Sequence, residues 1–308
     1  MELLFLGTSA GMPIRERNVT SIALRFSQQS GSYWLFDCGE ATQHQMNHTT
    51  LKPNRMSKLF ITHLHGDHVF GIPGLLSSRS NLGGSDVLEI YGPQGVRELV
   101  ESNLRISETH LVYPLEIKEI AEGIIYQDDE FTIEAAQLDH RIDCYGYRIV
   151  ESERVGALNA EWLAEMEIPP GPLYGQLKSG QDITLDDGRV IRAADAVGAS
   201  IPGRIITILG DTRPCQNAVK LSEGADLLVH EATFAHDLAD KAEEYGHSTT
   251  LQAAQIAAAA GAKRLLITHF SSRYKNEDLA MLEAEARTVF PHTEAAIELK
   301  SYGISDRG

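Results

Sequence analysis

Short apolar runs separated by polar or Gly-containing turns begin with the first residues of the chain. In this pattern 2–6, 20–26 and 33–37 read as strands, and 41–48 reads as a helix behind Asp37-Cys38-Gly39. Further along, 69–80 predicts a helix, 88–91 a strand and 94–104 an amphipathic helix, with strands near 115–120, 124–134 and 145–150. Strands and helices alternate again after residue 204. Two halves, each a β-sheet covered by helices, predict an α/β fold of four layers, αββα.

Between about 151 and 200 the pattern breaks. Gly, Pro and Asp replace the apolar runs, with Ile168-Pro169-Pro170-Gly171-Pro172-Leu173 at the centre and Asp186-Asp187-Gly188 predicting a hairpin turn. Trp162, Leu163, Leu173, Tyr174 and Leu177 are too apolar for a featureless linker. The expectation is one domain over 1–308 carrying 151–200 as an inserted arm. An echo between Leu59-Phe60-Ile61-Thr62-His63 and Leu265-Leu266-Ile267-Thr268-His269 suits two sheets that each deliver a histidine at an edge.

Size and charge narrow the classes. A chain of 308 residues with 43% hydrophobic content builds a sizeable core without staples. Cys38, Cys144 and Cys215 are odd in number, widely separated and without C-x-x-C spacing, which argues against a disulfide framework or zinc ribbon and fits a reducing compartment. Met1-Glu2-Leu3-Leu4-Phe5-Leu6 has no basic flank, and its apolar run is too short to span or target a membrane. A soluble, cytoplasmic protein with no membrane partner is expected. The net charge of −16 argues against nonspecific nucleic-acid binding over the whole surface, so any nucleic acid must meet a local basic patch.

The chemistry concentrates in Thr62-His63-Leu64-His65-Gly66-Asp67-His68, directly after the apolar stretch Lys58-Leu59-Phe60-Ile61. Three histidines this close repel one another if protonated, whereas neutral imidazoles and an aspartate suit Zn²⁺ or Mn²⁺. Four neighbouring side chains on a short loop diverge too much to reach one ion, so two ions sharing ligands are expected. Three other apolar runs end in a further candidate: Leu138-Asp139-His140, Ile208-Leu209-Gly210-Asp211-Thr212 and Leu266-Ile267-Thr268-His269. Singly, His140, Asp211 or His269 reads as a core or capping residue. Together with the cluster they make seven ligands, which suits two ions and a bridging solvent.

The order His63-x-His65-x-Asp67-His68, His140, Asp211, His269 resembles the metallo-β-lactamase superfamily over nearly the whole chain. The resemblance implies the αββα sandwich, with His63, His65 and His140 on one ion, Asp67, His68 and His269 on the other, and Asp211 between them. Four stretches are similar to the bacterial ribonuclease Z branch, also called ribonuclease BN. They are His230-Glu231-Ala232-Thr233, His247-Ser248-Thr249-Thr250, the loop Pro13-Ile14-Arg15-Glu16-Arg17-Asn18, and the Pro169-Pro170-Gly171-Pro172 core of the arm. Glu16 and Arg15 alter the charges of that family's loop pattern.

Several of these residues also fit other chemistry. Gly7-Thr8-Ser9-Ala10-Gly11 matches the G-x-S-x-G elbow of serine hydrolases, but Pro13 among arginines reads as a loop and not a helix start. The same stretch can present backbone N–H groups to an anion or form a plain tight turn. His247 precedes Ser248-Thr249-Thr250, which read as caps for a helix over 251–260. Ser271-Ser272-Arg273-Tyr274 offers hydroxyls, a guanidinium and a ring suited to phosphate and base contacts. His44, His48, His110, His236 and His292 read as surface or local packing.

The ribonuclease resemblance implies a hydrolase that frees the 3′ end of precursor tRNA, leaving a tRNA 3′-hydroxyl and a 5′-phosphate on the trailer, with trimming of 3′ ends also open. It implies catalytic roles for Asp67 and for His247 oriented by Glu231. It implies RNA contacts from Arg15, Arg17, Asn18, Ser272 and Arg273 and, on the arm, from Pro170, Gly171, Pro172 and Lys178. Zn²⁺ is the first choice for the two ions, with Mn²⁺ or Co²⁺ allowed by the carboxylates. Precursor tRNA, and not DNA, is the expected partner. The chain is expected to be a homodimer that places the arm and the catalytic centre on partner subunits, with Ile72, Leu75 and Leu76 as a candidate interface or as core.

Overall fold

The computed structural model describes residues 1–26 and 31–307. Two seven-stranded sheets form the frame. The first runs Ser301–Gly303, Glu2–Gly7, Ser21–Arg25, Tyr33–Phe36, Met56–Phe60, Leu88–Gly92 and Leu115–Glu119 in spatial order. The second runs Thr293–Ala295, Leu265–Thr268, Leu227–Glu231, Ile205–Ile208, Tyr145–Glu151, Phe131–Gln137 and Gly123–Gln127.

The apolar runs are continuous because both faces of each sheet are covered. Leu3 and Phe5 point into the layer between the sheets, where Phe36, Phe60 and Tyr91 stack at 5.0 Å centroid spacings and meet Tyr147, Ile206 and Val229. Leu4 and Leu6 face the opposite way, under helices Thr42–Met46, Ile72–Asn81 and Val96–Ile106. Leu228, Leu265 and Ile267 likewise pack on helices Gln216–Leu221, Thr250–Ala259 and Leu279–Arg287. The helix expected behind His247 starts at Thr250, with Thr249 and Gln252 forming a reciprocal capping box.

The strand expected over 124–134 is a hairpin, Gly123–Gln127 against Phe131–Gln137, because Asp128 Oδ1 accepts from the N–H groups of Glu130 and Phe131 and turns the chain. The helix expected over 69–80 comes in two pieces, Gly66–Val69 and Ile72–Asn81. The break falls at Gly71, where a Cβ would lie 2.0 Å from the Gly39 carbonyl oxygen. Ile72, Leu75 and Leu76 are fully buried beneath the first sheet, so they belong to the core and offer no face to a second chain.

Two compact units emerge. One comprises Met1–Val150 with Ile205–Ser305, and the other Glu151–Arg204 with the residues from Asp306 on. The second has its own small core of Leu163, Ile168, Leu177, Ile183, Ile191, Ala193 and Ala196. In it Asp186-Asp187-Gly188 does turn a hairpin, Ile183–Thr184 against Val190–Ile191, and Pro172 opens the helix Pro172–Lys178. None of the three cysteines is paired. Among the described residues no helix is long and apolar enough to cross a membrane.

Candidate metal centre and active site

The centre is built at strand ends. Asp37 follows Tyr33–Phe36, the His63 to His68 cluster follows Met56–Phe60, and His140 follows Phe131–Gln137. Asp211 follows Ile205–Ile208, Glu231 ends Leu227–Glu231, and His269 follows Leu265–Thr268. Polar groups at the carboxyl ends of such strands gather in one crevice, and here His65, Asp67, Asp211 and His269 line a cavity of about 410 Å³ with Gly11, Val19, Glu40, Gly66, Phe70 and His247.

His63 Nε2 lies 3.0 Å from His65 Nδ1, which in turn lies 3.2 Å from His140 Nε2. On the other side His68 Nε2 and His269 Nε2 are 3.3 Å apart, with Asp67 Oδ2 at 3.6 and 3.4 Å from them. Asp211 Oδ2 sits among all of these, 3.6 Å from His63 and His68 and 3.4 Å from His269. All seven expected ligands therefore converge, in two groups that meet at one aspartate oxygen.

The hydrogen bonds behind the rings decide which nitrogens carry protons. The Gly246 carbonyl can only accept, so His140 Nδ1, 2.7 Å away, holds the proton. The Thr62 hydroxyl donates to Asp37 Oδ2 and so accepts from His63 Nδ1 at 3.0 Å. The Thr233 hydroxyl donates to Glu231 Oε2 and accepts from His269 Nδ1 at 2.9 Å. His68 Nδ1 meets Asp37 Oδ2 directly at 2.8 Å. The Nε2 atoms of His63, His68, His140 and His269 all point inward, an arrangement that partners behind metal-bound histidines commonly impose.

Burial lowers the pKa of His63, His65 and His140, so bare lone pairs face one another around 3 Å apart. Burial alone would lower His68 too, but Asp211, Asp37 and Asp67 outweigh it and raise its pKa well above the ordinary value. Burial opposes ionisation of Asp67 and Asp211, yet the surrounding imidazoles hold both well below the usual carboxylate range. Converging lone pairs beside buried carboxylates call for positive charge between them. The donor set fits two divalent cations.

His247 stands beside this centre, with Nδ1 3.0 Å from Glu231 Oε1 and 3.8 Å from Asp211 Oδ2. Burial would lower its pKa, but the Glu231 charge and hydrogen bond outweigh that and bring it up to about 9. Glu231 is fixed in turn by N–H groups of Thr212, Thr233 and Ser248.

The remaining candidates are placed differently. Arg17 is 3% exposed, and its guanidinium donates to the Ser271 and Tyr274 carbonyls and to Asn276 Oδ1, bracing the loop from within. Asn18 is buried and donates to the Glu40 carbonyl, while its N–H meets Glu298 Oε1 at 2.7 Å. Arg15 is exposed beside a separate cavity of about 450 Å³ that His44, Gln45 and Glu298 also line. Ser272 and Arg273 are exposed, with Arg273 over the Phe234 ring. Pro170, Gly171, Pro172 and Lys178 are exposed in the second unit. Ser9 is buried and donates to the Met12 carbonyl, so the loop is no nucleophile elbow. The anion that this loop meets is Asp67, whose Oδ2 accepts from Gly11 N–H at 2.7 Å.

Asp37, Thr62 and Thr233 were not singled out from sequence. Asp37 had a signal, an aspartate closing an apolar strand as Asp211 does. The two threonines had none.

Two stacked sheets with paired His/Asp groups at one edge define a protein of the metallo-β-lactamase superfamily. Residues 174–270 match the family model described as beta-lactamase superfamily domain, and residues 1–150 match the one described as anti-Pycsar protein Apyc1. Among solved structures, human tRNase Z, short form, superposes with a TM-score of 0.72 at 31% identity, covering 99% of this chain and 100% of that one. The metallo-beta-lactamase fold protein YhfI from Bacillus subtilis superposes at 0.69 with 20% identity, covering 98% of each chain. A ribonuclease Z of Bacillus licheniformis is 52% identical over 304 residues, 99% of each chain. The chain belongs to the ribonuclease Z family.

Proposed function

We propose that this chain is a metal-dependent endoribonuclease that removes the 3′ trailer from precursor tRNA, leaving a tRNA 3′-hydroxyl and a 5′-phosphate on the trailer. The observation that carries the reading is the gathering of seven candidate ligands into two groups that meet at Asp211 Oδ2, with His247 alongside, in a member of the ribonuclease Z family. Two divalent ions, Zn²⁺ first and Mn²⁺ or Co²⁺ as alternatives, would be held by His63, His65 and His140 and by Asp67, His68 and His269, with Asp211 between, and would supply charge neutralisation at the phosphate and lower the pKa of water.

The chain's own groups do the positioning. Asp67, held by Gly11 N–H, orients the attacking water and takes its proton. His247 keeps a proton because Glu231 stabilises the imidazolium, and it delivers that proton to the departing 3′ oxygen. Attack by water makes the tRNA 3′-hydroxyl the leaving group, which accounts for where the phosphate ends. The chain acts as a homodimer in which the arm of one protomer, through Pro170, Gly171, Pro172 and Lys178, holds the body of the tRNA cleaved by the other. Arg15, Ser272 and Arg273 contact the RNA nearer the centre.

The test joins metal analysis to product mapping. Protein purified without chelators should approach two equivalents of metal and cut precursor tRNA at one position, leaving the stated ends. Full activity with a single tightly bound ion would reject the two-ion centre, and uncut precursor would reject the function.

His247 also sets a pH limb. Its protonated form is the active one, so single-turnover cleavage should fall as pH rises through its pKa. Neighbouring dications pull that pKa down from about 9, so the fall should lie at or below that value. Glu231→Gln removes the anion that raises it, and the limb should move to lower pH. An unmoved limb in Glu231→Gln would separate His247 from the proton transfer.

A further inference from the structure

Phe70 is an apolar ring on the wall of a catalytic cavity lined mostly by His, Asp and Glu side chains. It is 67% exposed, and the cavity it lines holds Asp67, Asp211, His247 and His269. Among the described residues the exposed large hydrophobic side chains include two aromatic ones, Phe70 and Tyr245, and Tyr245 does not line this cavity. The position is fixed and not incidental. Phe70 caps the short helix Gly66–Val69, with its N–H bonded to the Gly66 carbonyl at 2.9 Å. Its ring lies directly against Gly66, where a Cβ would come within 2.1 Å of Phe70 Cε2. Glycine next to the ligand Asp67 therefore allows the ring to rest on the backbone beside the metal centre while most of its surface stays open.

An exposed phenyl in water gains nothing for the fold, whereas a ring beside a scissile phosphate meets whatever flanks that phosphate. In RNA those flanking groups are bases. Resting on the ribonuclease reading above, we infer that Phe70 stacks on the base of a nucleotide adjoining the scissile bond and so sets the position of the phosphate in the cavity that Asp67, Asp211, His247 and His269 line. Every base has a π-face, so the contact tolerates any sequence while requiring a base to be present. Glycine at 66 fixes where the ring sits, and Gly11, bonded to Asp67, forms part of the same wall.

The experiment couples protein and substrate changes in metal-loaded enzyme. Phe70→Leu and Phe70→Trp are compared with wild type on a natural precursor tRNA and on precursors with an abasic ribose on one side or the other of the scissile bond. Phe70→Leu should lower kcat/KM on the natural precursor by about tenfold or more. Phe70→Trp should retain it. An abasic ribose at one of the two positions should lower wild type by a similar factor, and the same abasic substrate should cost Phe70→Leu little more. Losses that multiply at both positions overturn the stacking contact, as does Phe70→Leu with undiminished cleavage or with its metal content lost. Wild-type enzyme that leaves the natural precursor uncut overturns the ribonuclease reading and this inference with it. Active wild type with multiplying losses overturns the stacking alone.

Discussion

Asp211→Ala should reduce precursor cleavage by about 10³-fold or more and leave fewer than two metal equivalents bound. Its Oδ2 is the point where both ligand groups meet, within 3.6 Å of three imidazole nitrogens, and no other carboxylate oxygen occupies such a place among the described residues. Removing it withdraws charge stabilisation worth several kcal/mol, and each 1.36 kcal/mol is a factor of ten. Asp37→Ala supplies the graded comparison. It deletes the partner behind His68 and the acceptor for the Thr62 hydroxyl, without touching the inner cluster, and should cost roughly 10–100-fold. Activity and metal content are measured on the same preparations. An Asp211→Ala variant with two ions and most of its cleavage would remove the shared-ligand arrangement.

Deleting the inserted unit should separate chemistry from recognition. Val150 and Ile205 are register partners in adjacent antiparallel strands, so the chain can be closed between them by a two-residue Asn-Gly hairpin. All seven ligands lie outside the deletion. Hydrolysis of bis(p-nitrophenyl) phosphate should stay within a few-fold of wild type, while kcat/KM on precursor tRNA should fall by about 10² or more through loss of remote binding energy. The salt dependence of binding should be modest, on the order of a few counterions. Arg189 is already paired with Asp187, and acidic residues outnumber basic ones in this unit. A folded deletion variant that loses both activities equally, or neither, would show that the unit is no exosite.

The gathering of the seven candidate ligands was legible because the code is local. Imidazoles packed into a turn after an apolar strand, and single polar residues closing other strands, state both the chemistry and the edge where it gathers. The layers were legible for the same reason, since runs such as Leu3 to Leu6 make sense only when both faces are covered. What stayed hidden depends on tertiary partners. Thr62 and Thr233 look like ordinary strand-end threonines until Asp37 and Glu231 are seen behind them. Arg17 reads as a phosphate ligand on a loop, yet the loop folds over it and its donors close onto the carbonyls of 271 and 274. The Asp128 turn was hidden by apolar residues on both sides that made one strand of two. Net charge pointed away from RNA because a sum over the surface carries no information about a single cleft.

The unequal proton affinities of the inner histidines set how many protons leave when metal arrives. Burial lowers the pKa of His63, His65 and His140, so an ion held by them would displace none of their protons near neutral pH, and its affinity should be nearly flat across that range. His68 is protonated before metal enters, since its pKa lies well above the ordinary value, and the ion it shares must expel that proton. Its apparent affinity therefore falls about tenfold for each pH unit of acidification below that pKa. In protein loaded with two divalent cations, mild acidification should therefore release an ion held by Asp67, His68 and His269 before one held by His63, His65 and His140, which titration of bound metal against pH checks.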